Sequence, residues 1–133
     1  MIKYFLAFLL LFPAIYSGAN NDDLKEPKTY NRTVYATYYA KKFEGRRTSS
    51  GQRYRAKKFT AAHLTLPFGT EVTVTNLVNG RSVVVKINDR GPHSKKYSID
   101  LSEGAAKEIG IYKKGFAKVD ISYVLEEKMQ EAR

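Results

Sequence analysis

Two stretches of alternating side chains, joined by a turn that few residues can make, set the limits on what this chain can fold into. Glu71-Val72-Thr73-Val74-Thr75-Asn76-Leu77 places valines at alternate positions, and Ser82-Val83-Val84-Val85-Lys86-Ile87-Asn88 runs back after Asn79-Gly80. A strand with one buried face requires such a period of two, and Asn-Gly favours a tight hairpin because both residues tolerate positive φ. Shorter segments share the texture. Val34, Ala36, Tyr38 and Ala40 alternate with Tyr35, Thr37 and Tyr39, and Phe116 to Val124 alternates in the same way. Phe59 to His63 and Tyr97 to Leu101 are short and largely apolar. Ser102 is placed to cap a brief helix running to Ile109, with Gly110 where a helix C-terminal glycine belongs. Leu66-Pro67-Phe68-Gly69 and Asp89-Arg90-Gly91-Pro92 interrupt the pattern with turn residues. Five or six short strands with one or two short helices in about 90 residues predict a mainly β protein closed into a small barrel. Closure also leaves no strand edge open to aggregation.

The segments outside this pattern have different chemistry. Met1-Ile2-Lys3 gives a positive start, Tyr4 to Tyr16 is an apolar run of 13 residues, and Ser17-Gly18-Ala19 supplies small residues for cleavage after Ala19. That order reads as a signal peptide over 1–19; the run holds Pro13 and is shorter than the roughly 20 residues a spanning helix needs. Residues 20–32 read as a flexible polar leader, 33–125 as the barrel and 126–133 as a polar tail. The chain has no cysteine, which removes disulfides, thiol chemistry and a lipid-bearing cysteine from consideration. The expectation is an exported protein, periplasmic or extracellular, with no stable membrane anchor.

Charge narrows the partner. The 133 residues carry a formal net charge of +10, so an acidic polymer, anionic lipid or nucleic acid would be attracted. Outside the cytoplasm the acidic polymer is favoured, and peptidoglycan bears muramyl lactyl and peptide carboxylates. The basic stretch over 41–58, eight cations against one acid, is interleaved with Phe43 and Tyr54 and followed by Phe59. Such a stretch suits single-stranded nucleic acid, a carboxylated carbohydrate or a plain solvated loop. Export favours sugar, and no nucleic-acid partner is expected.

Three polar clusters stand beside strand ends. Asp89, in Asn88-Asp89-Arg90-Gly91-Pro92, can face a groove or cap its own turn with Arg90 as ion-pair partner. His63 can be an acid, a base, a substrate donor or a satisfied core side chain. Asp100, in Ile99-Asp100-Leu101-Ser102, reads best as a cap at the helix start. His93 and His63 without further paired ligands make a weak zinc case, so no metal or cofactor is expected.

Taken in order, the motifs carry a specific resemblance. Ala36-Thr37-Tyr38-Tyr39, the run from Lys42 to Gly51, Thr60-Ala61-Ala62-His63, Leu66 to Thr70, Val74 to Leu77, Asn79-Gly80-Arg81, Asn88 to Pro92 and Ile99 to Ser102 are similar to the rare lipoprotein A (RlpA) family, over roughly Val34 to Val124. The resemblance implies a six-stranded double-psi β-barrel. It further implies an endolytic peptidoglycan transglycosylase, a lyase that cuts between N-acetylmuramic acid and N-acetylglucosamine and leaves a 1,6-anhydro-muramyl end. The family is associated with strands stripped of stem peptides and with cell-division machinery at the septum. It assigns Asp89 as acid/base, with a pKa raised by burial in the groove, and His63 as a second catalytic position. Gln52, Thr48, Gly51, Tyr39, Asn88 and Arg90 would line the substrate. Gln52 stands where the family usually has glutamate, so a non-catalytic glycan-binding barrel is the alternative; Glu44 is a nearby carboxylate that could stand in. Tyr35 and Ala40 stand where glycine is frequent, and Tyr38 where tryptophan is.

Overall fold

The structure, a computed structural model, describes residues 26–126. Six strands close into a barrel: β1 (Lys28–Tyr38), β2 (Thr60–His63), β3 (Glu71–Asn76), β4 (Ser82–Asp89), β5 (Ile99–Leu101) and β6 (Ala117–Leu125). Around the wall their order is β1-β5-β2-β4-β3-β6. β1 runs parallel to β5 and β2 parallel to β4, while the remaining neighbours are antiparallel. A single 3₁₀ turn (Lys41–Phe43) and one short helix, α1 (Glu103–Glu108), complete the described elements.

The period of two is what fills the interior. In β3 and β4, Val72, Val74, Val83, Val85 and Ile87 point inward, and Ile99, Leu101, Val119 and Ile121 meet them from β5 and β6. Burying each such side chain contributes about 1.5–3 kcal/mol. α1 seals one end with Ala105, Ala106 and Ile109, all fully buried. Its start is tied to the wall: the Ser102 hydroxyl accepts from Ala105 N at 3.3 Å and from Thr60 N at 3.4 Å. Its end is held by the β3–β4 hairpin, where the side-chain amides of Asn76 and Asn79 both donate to the Ile109 carbonyl, at 2.8 and 3.1 Å. In that hairpin only Gly80 takes positive φ, at 72°, while the Asn79 side chain bonds the Ile109 carbonyl and Arg81 N.

Three boundaries differ from the sequence pattern. β1 begins at Lys28, inside what reads as a leader, because β6 pairs with it continuously from Lys28↔Leu125 to Ala36↔Ala117. There the ladder and the Tyr30–Tyr123 stack, 5.6 Å between centroids, hold polar residues that carry no hydrophobic period. β1 also stops at Tyr38 rather than Ala40. β5 is only Ile99–Leu101, since residues 94–98 are irregular, with bends at 95, 96 and 98 instead of a ladder. The signal peptide over 1–19, the rest of the leader through residue 25 and the tail beyond Glu126 lie outside the described residues.

Candidate active site

The site begins with one irregularity in β4. Its inward positions are Val83, Val85 and Ile87, and unbroken alternation would send Asp89 into the core as well. A register shift prevents this: Ala61 pairs with Ile87, but Ala62 pairs with Asp89, leaving Asn88 as an extra residue. Such a bulge re-aims the side chains that follow it. Asp89 therefore turns onto the outer face. On the other side of β2, Ala62 pairs with Asp100, whose neighbours Ile99 and Leu101 are both core residues. One small residue thus has an aspartate across the ladder on each side.

The two carboxyls live in opposite surroundings. Asp89 accepts from the Tyr39 hydroxyl at 2.5 Å, from Ser49 N at 2.8 Å and from its own neighbour Arg90 N at 2.9 Å. Burial pushes its pKa up, yet the hydrogen bonds from Tyr39, Ser49 and Arg90 outweigh burial and hold it below the ordinary carboxylate value. Asp100 has no such donors, and its Oδ1 is shut off from solvent without a hydrogen-bond partner among the described residues. Burial, and then the charge of Asp89, push it up to about 7. A pair of carboxyls driven apart in this way divides into an ionised member and a protonated member near neutral pH.

Aromatic rings build one wall. Tyr39 follows β1 and is fixed by Tyr39 N donating to Leu101 O at 2.9 Å; its ring stacks on Tyr54 at 4.5 Å and meets Phe43 edge-on at 5.8 Å. Burial, then the hydrogen bond to Asp89, raise the Tyr39 hydroxyl far above its usual value, so it stays a donor. Tyr54 is itself anchored, its hydroxyl accepting from Glu103 N at 3.1 Å. The loop over 48–52 lies beside Asp89. Thr48 N donates to Gln52 O at 2.7 Å, and Gly51, at φ 87°, makes the turn between them.

Of the residues read from the sequence, Asp89, Tyr39, Asn88, Thr48, Gly51 and Gln52 come together here. The Gln52 side-chain oxygen accepts from the Asn88 amide at 3.2 Å, and the Thr48 and Ser50 hydroxyls bond at 2.9 Å. His63 engages turn amides through its side chain. It alternates with Ala62, pairs with core residue Ile99, and its Nδ1 accepts from Thr65 N and Leu66 N, both at 3.1 Å. Arg90 places only its backbone at the site, because its guanidinium donates to the carbonyls of His63 and Leu66 and lies 4.0 Å over the Phe68 ring. Glu44 is occupied by Ala56 N at 2.8 Å and by Arg55, and lines a separate cavity of about 540 Å³ with Lys41, residues 55–58 and Glu103. Two expectations need correction. Asp100 is not the helix cap, a role filled by Ser102 two residues later. Asp89 has a lowered rather than a raised pKa, because the donors around it favour the charged form. Among the described residues, no group of three or more His, Cys, Asp or Glu stands close enough to hold a metal ion.

A closed six-stranded wall with interleaved parallel pairs fits the double-psi β-barrel class. Solved barrels of this shape agree. The structure is similar to a Streptomyces papain inhibitor, with a TM-score of 0.58 and 23% identity over 73% of this chain and 96% of that one. It is also similar to the Clavibacter michiganensis expansin, with a TM-score of 0.54 and 20% identity over 74% of this chain and 52% of the expansin. These likenesses speak to fold alone. In sequence, residues 31–121 match the family model described as lytic transglycolase. The endolytic peptidoglycan transglycosylase RlpA of Haemophilus influenzae is 54% identical over 96 residues, covering 72% of this chain and 33% of that protein. A probable RlpA of Synechocystis is 55% identical over 89 residues, covering 67% of this chain and 28% of its own length. The chain belongs to the RlpA family of lytic transglycolases, and it spans about a third of the length of the curated relatives it matches.

Proposed function

We propose that this protein is an endolytic peptidoglycan transglycosylase, exported to act on glycan strands, with Asp100 as its proton donor and Asp89 as its fixed negative charge. The observation that carries the reading is the half-buried Asp100 carboxyl, whose Oδ1 has no hydrogen-bond partner among the described residues, across Ala62 from an Asp89 that accepts three hydrogen bonds. A buried polar atom without a partner is costly, and a catalytic role is one reason a fold keeps one. The chemistry then follows. Asp100 gives its proton to the glycosidic oxygen as the muramyl C1–O bond breaks, and the N-acetylglucosamine end departs with a free hydroxyl. Asp89 stabilises the positive charge that develops at the muramyl C1 and ring oxygen. The muramyl C6 hydroxyl closes on C1 and yields its proton to the Asp100 carboxylate, which restores the acid. No water is consumed, and one carboxyl serves as acid and then as base, unlike the two-carboxylate hydrolases.

Gln52 bonds Asn88 and not Asp100, and in this reading the proton donor does not stand at position 52. Names of relatives at about half identity favour cleavage over a barrel that only holds glycan. The experiment is digestion of peptide-free glycan strands followed by mass spectrometry. Soluble 1,6-anhydro-muramyl fragments are expected from the native protein and not from Asp100→Asn. Strand retention without fragments would leave the non-catalytic binder in its place.

A further inference from the structure

We propose that Phe116, Lys96 and Lys114 form a second subsite on the same wall, which takes a carboxylate-bearing sugar of the strand held at Asp89 and Asp100. This inference rests on the glycan reading above. Its basis is a row of outward residues that crosses the sheet at right angles to the strands. Asp89, Ala62 and Asp100 are cross-strand neighbours on β4, β2 and β5, and Asp100 pairs in turn with Thr37 on β1. β1 then pairs with β6 through Ala36↔Ala117, which sets Phe116, one residue earlier, beside Thr37. Thr37 closes that step by donating its hydroxyl to Gly115 O at 3.0 Å. Phe116 therefore continues the row two strands beyond Asp100, a span of about 10 Å at ordinary strand spacing.

What gathers there is positive charge with no ion-pair partner among the described residues. The Lys96 ammonium lies 4.5 Å from the Phe116 ring centre, and also 5.4 Å from Tyr97 and 5.8 Å from Tyr35. The Lys114 ammonium lies 5.1 Å from the same Phe116 ring. The side-chain ion pairs among the described residues are Arg55–Glu44 and Lys107–Glu103, so neither lysine has an acidic partner there. Ring faces attract the ammoniums, but two like charges over one ring repel each other. An anion between them relieves that repulsion, and a sugar ring can pack on the aromatic surface alongside. Muramyl residues present this combination through the lactyl carboxylate, at intervals along a strand that would lie along the row.

The test compares binding of two probes in an Asp100→Asn background, which keeps strands whole. One probe is peptide-free glycan strands; the other is the same strands with lactyl carboxyls reduced to alcohols. Replacing both lysines (Lys96→Met with Lys114→Met) is expected to weaken binding of the native strands about three- to tenfold, as loss of two exposed charge pairs would, and to leave the reduced strands unaffected. Equal weakening of both probes, or of neither, overturns the subsite. Cleavage by the otherwise native protein separates the two readings. Normal fragmentation without a lysine effect defeats the subsite alone. A lysine effect without fragmentation upholds the subsite and defeats the enzymatic assignment.

Discussion

Asp89 and Asp100 share one neighbour, Ala62, and little else. Asp89 stands where the chain leaves β4, and the bulge brings it within reach of the Ser49 and Arg90 amides and the Tyr39 hydroxyl. Asp100 is embedded in β5, where its own amide and carbonyl belong to the ladder and the adjacent side chains are apolar. The same functional group is thus stabilised as an anion on one side and disfavoured as an anion on the other. Neither environment would suffice alone. The charge of Asp89 is part of what raises Asp100, so the saturated carboxyl helps keep its partner protonated.

That contrast leads to graded expectations. Asp100→Asn removes the proton donor and should lower turnover by about 10²–10⁴-fold with little change in glycan affinity. The same variant has a stability signature. Because the folded carboxyl titrates near 7, above its unfolded value of 3.8, the native state binds more protons between those pH values and loses stability as pH rises through them. Asp100→Asn should therefore be more stable than the native protein at pH 8, by roughly 2–4 kcal/mol, and the advantage should vanish at pH 3; denaturant melts at both pH values check this. Asp89→Asn should reduce turnover by about 10²-fold, and should also move the basic limb of the pH–rate profile below 7, since Asp100 loses the charge that helps to raise it. Tyr39→Phe, which removes one of three donors to Asp89, should cost about tenfold in turnover while binding is retained. His63→Gln should leave turnover close to native and lower stability by about 1–3 kcal/mol, because two turn amides lose their acceptor.

The two aspartates also mark what could be read from the residues and what could not. The hairpin, the alternating core and the Ser102 cap are local patterns, and the structure keeps them. Asp89 stood out because a carboxylate beside a Gly-Pro turn is conspicuous. Its protonation state did not, because that depends on Tyr39 and Ser49, far away in sequence. Asp100 was hidden by a local look-alike. An aspartate shortly before a helix resembles a cap, and only the β5–β2 pairing shows that it stands opposite Ala62 instead. Its apolar flanks were the available signal, since a lone carboxyl between two core residues has to be exposed, paired or neutral. His63 was ambiguous for the complementary reason. Adjacent to Ala62 in sequence, it faces the other side of the strand, and a period of two cannot say which face is the groove until the register is known.

The division of labour can be observed without substrate. Side-chain carboxyl carbons of aspartate, followed by NMR across pH 2–9, report each proton directly. One resonance should titrate near 7 and be missing in Asp100→Asn, while the Asp89 resonance titrates below the usual range for a carboxylate. A high-titrating signal that persists in Asp100→Asn and disappears in Asp89→Asn would reverse the roles, and the absence of any such signal would contradict the account.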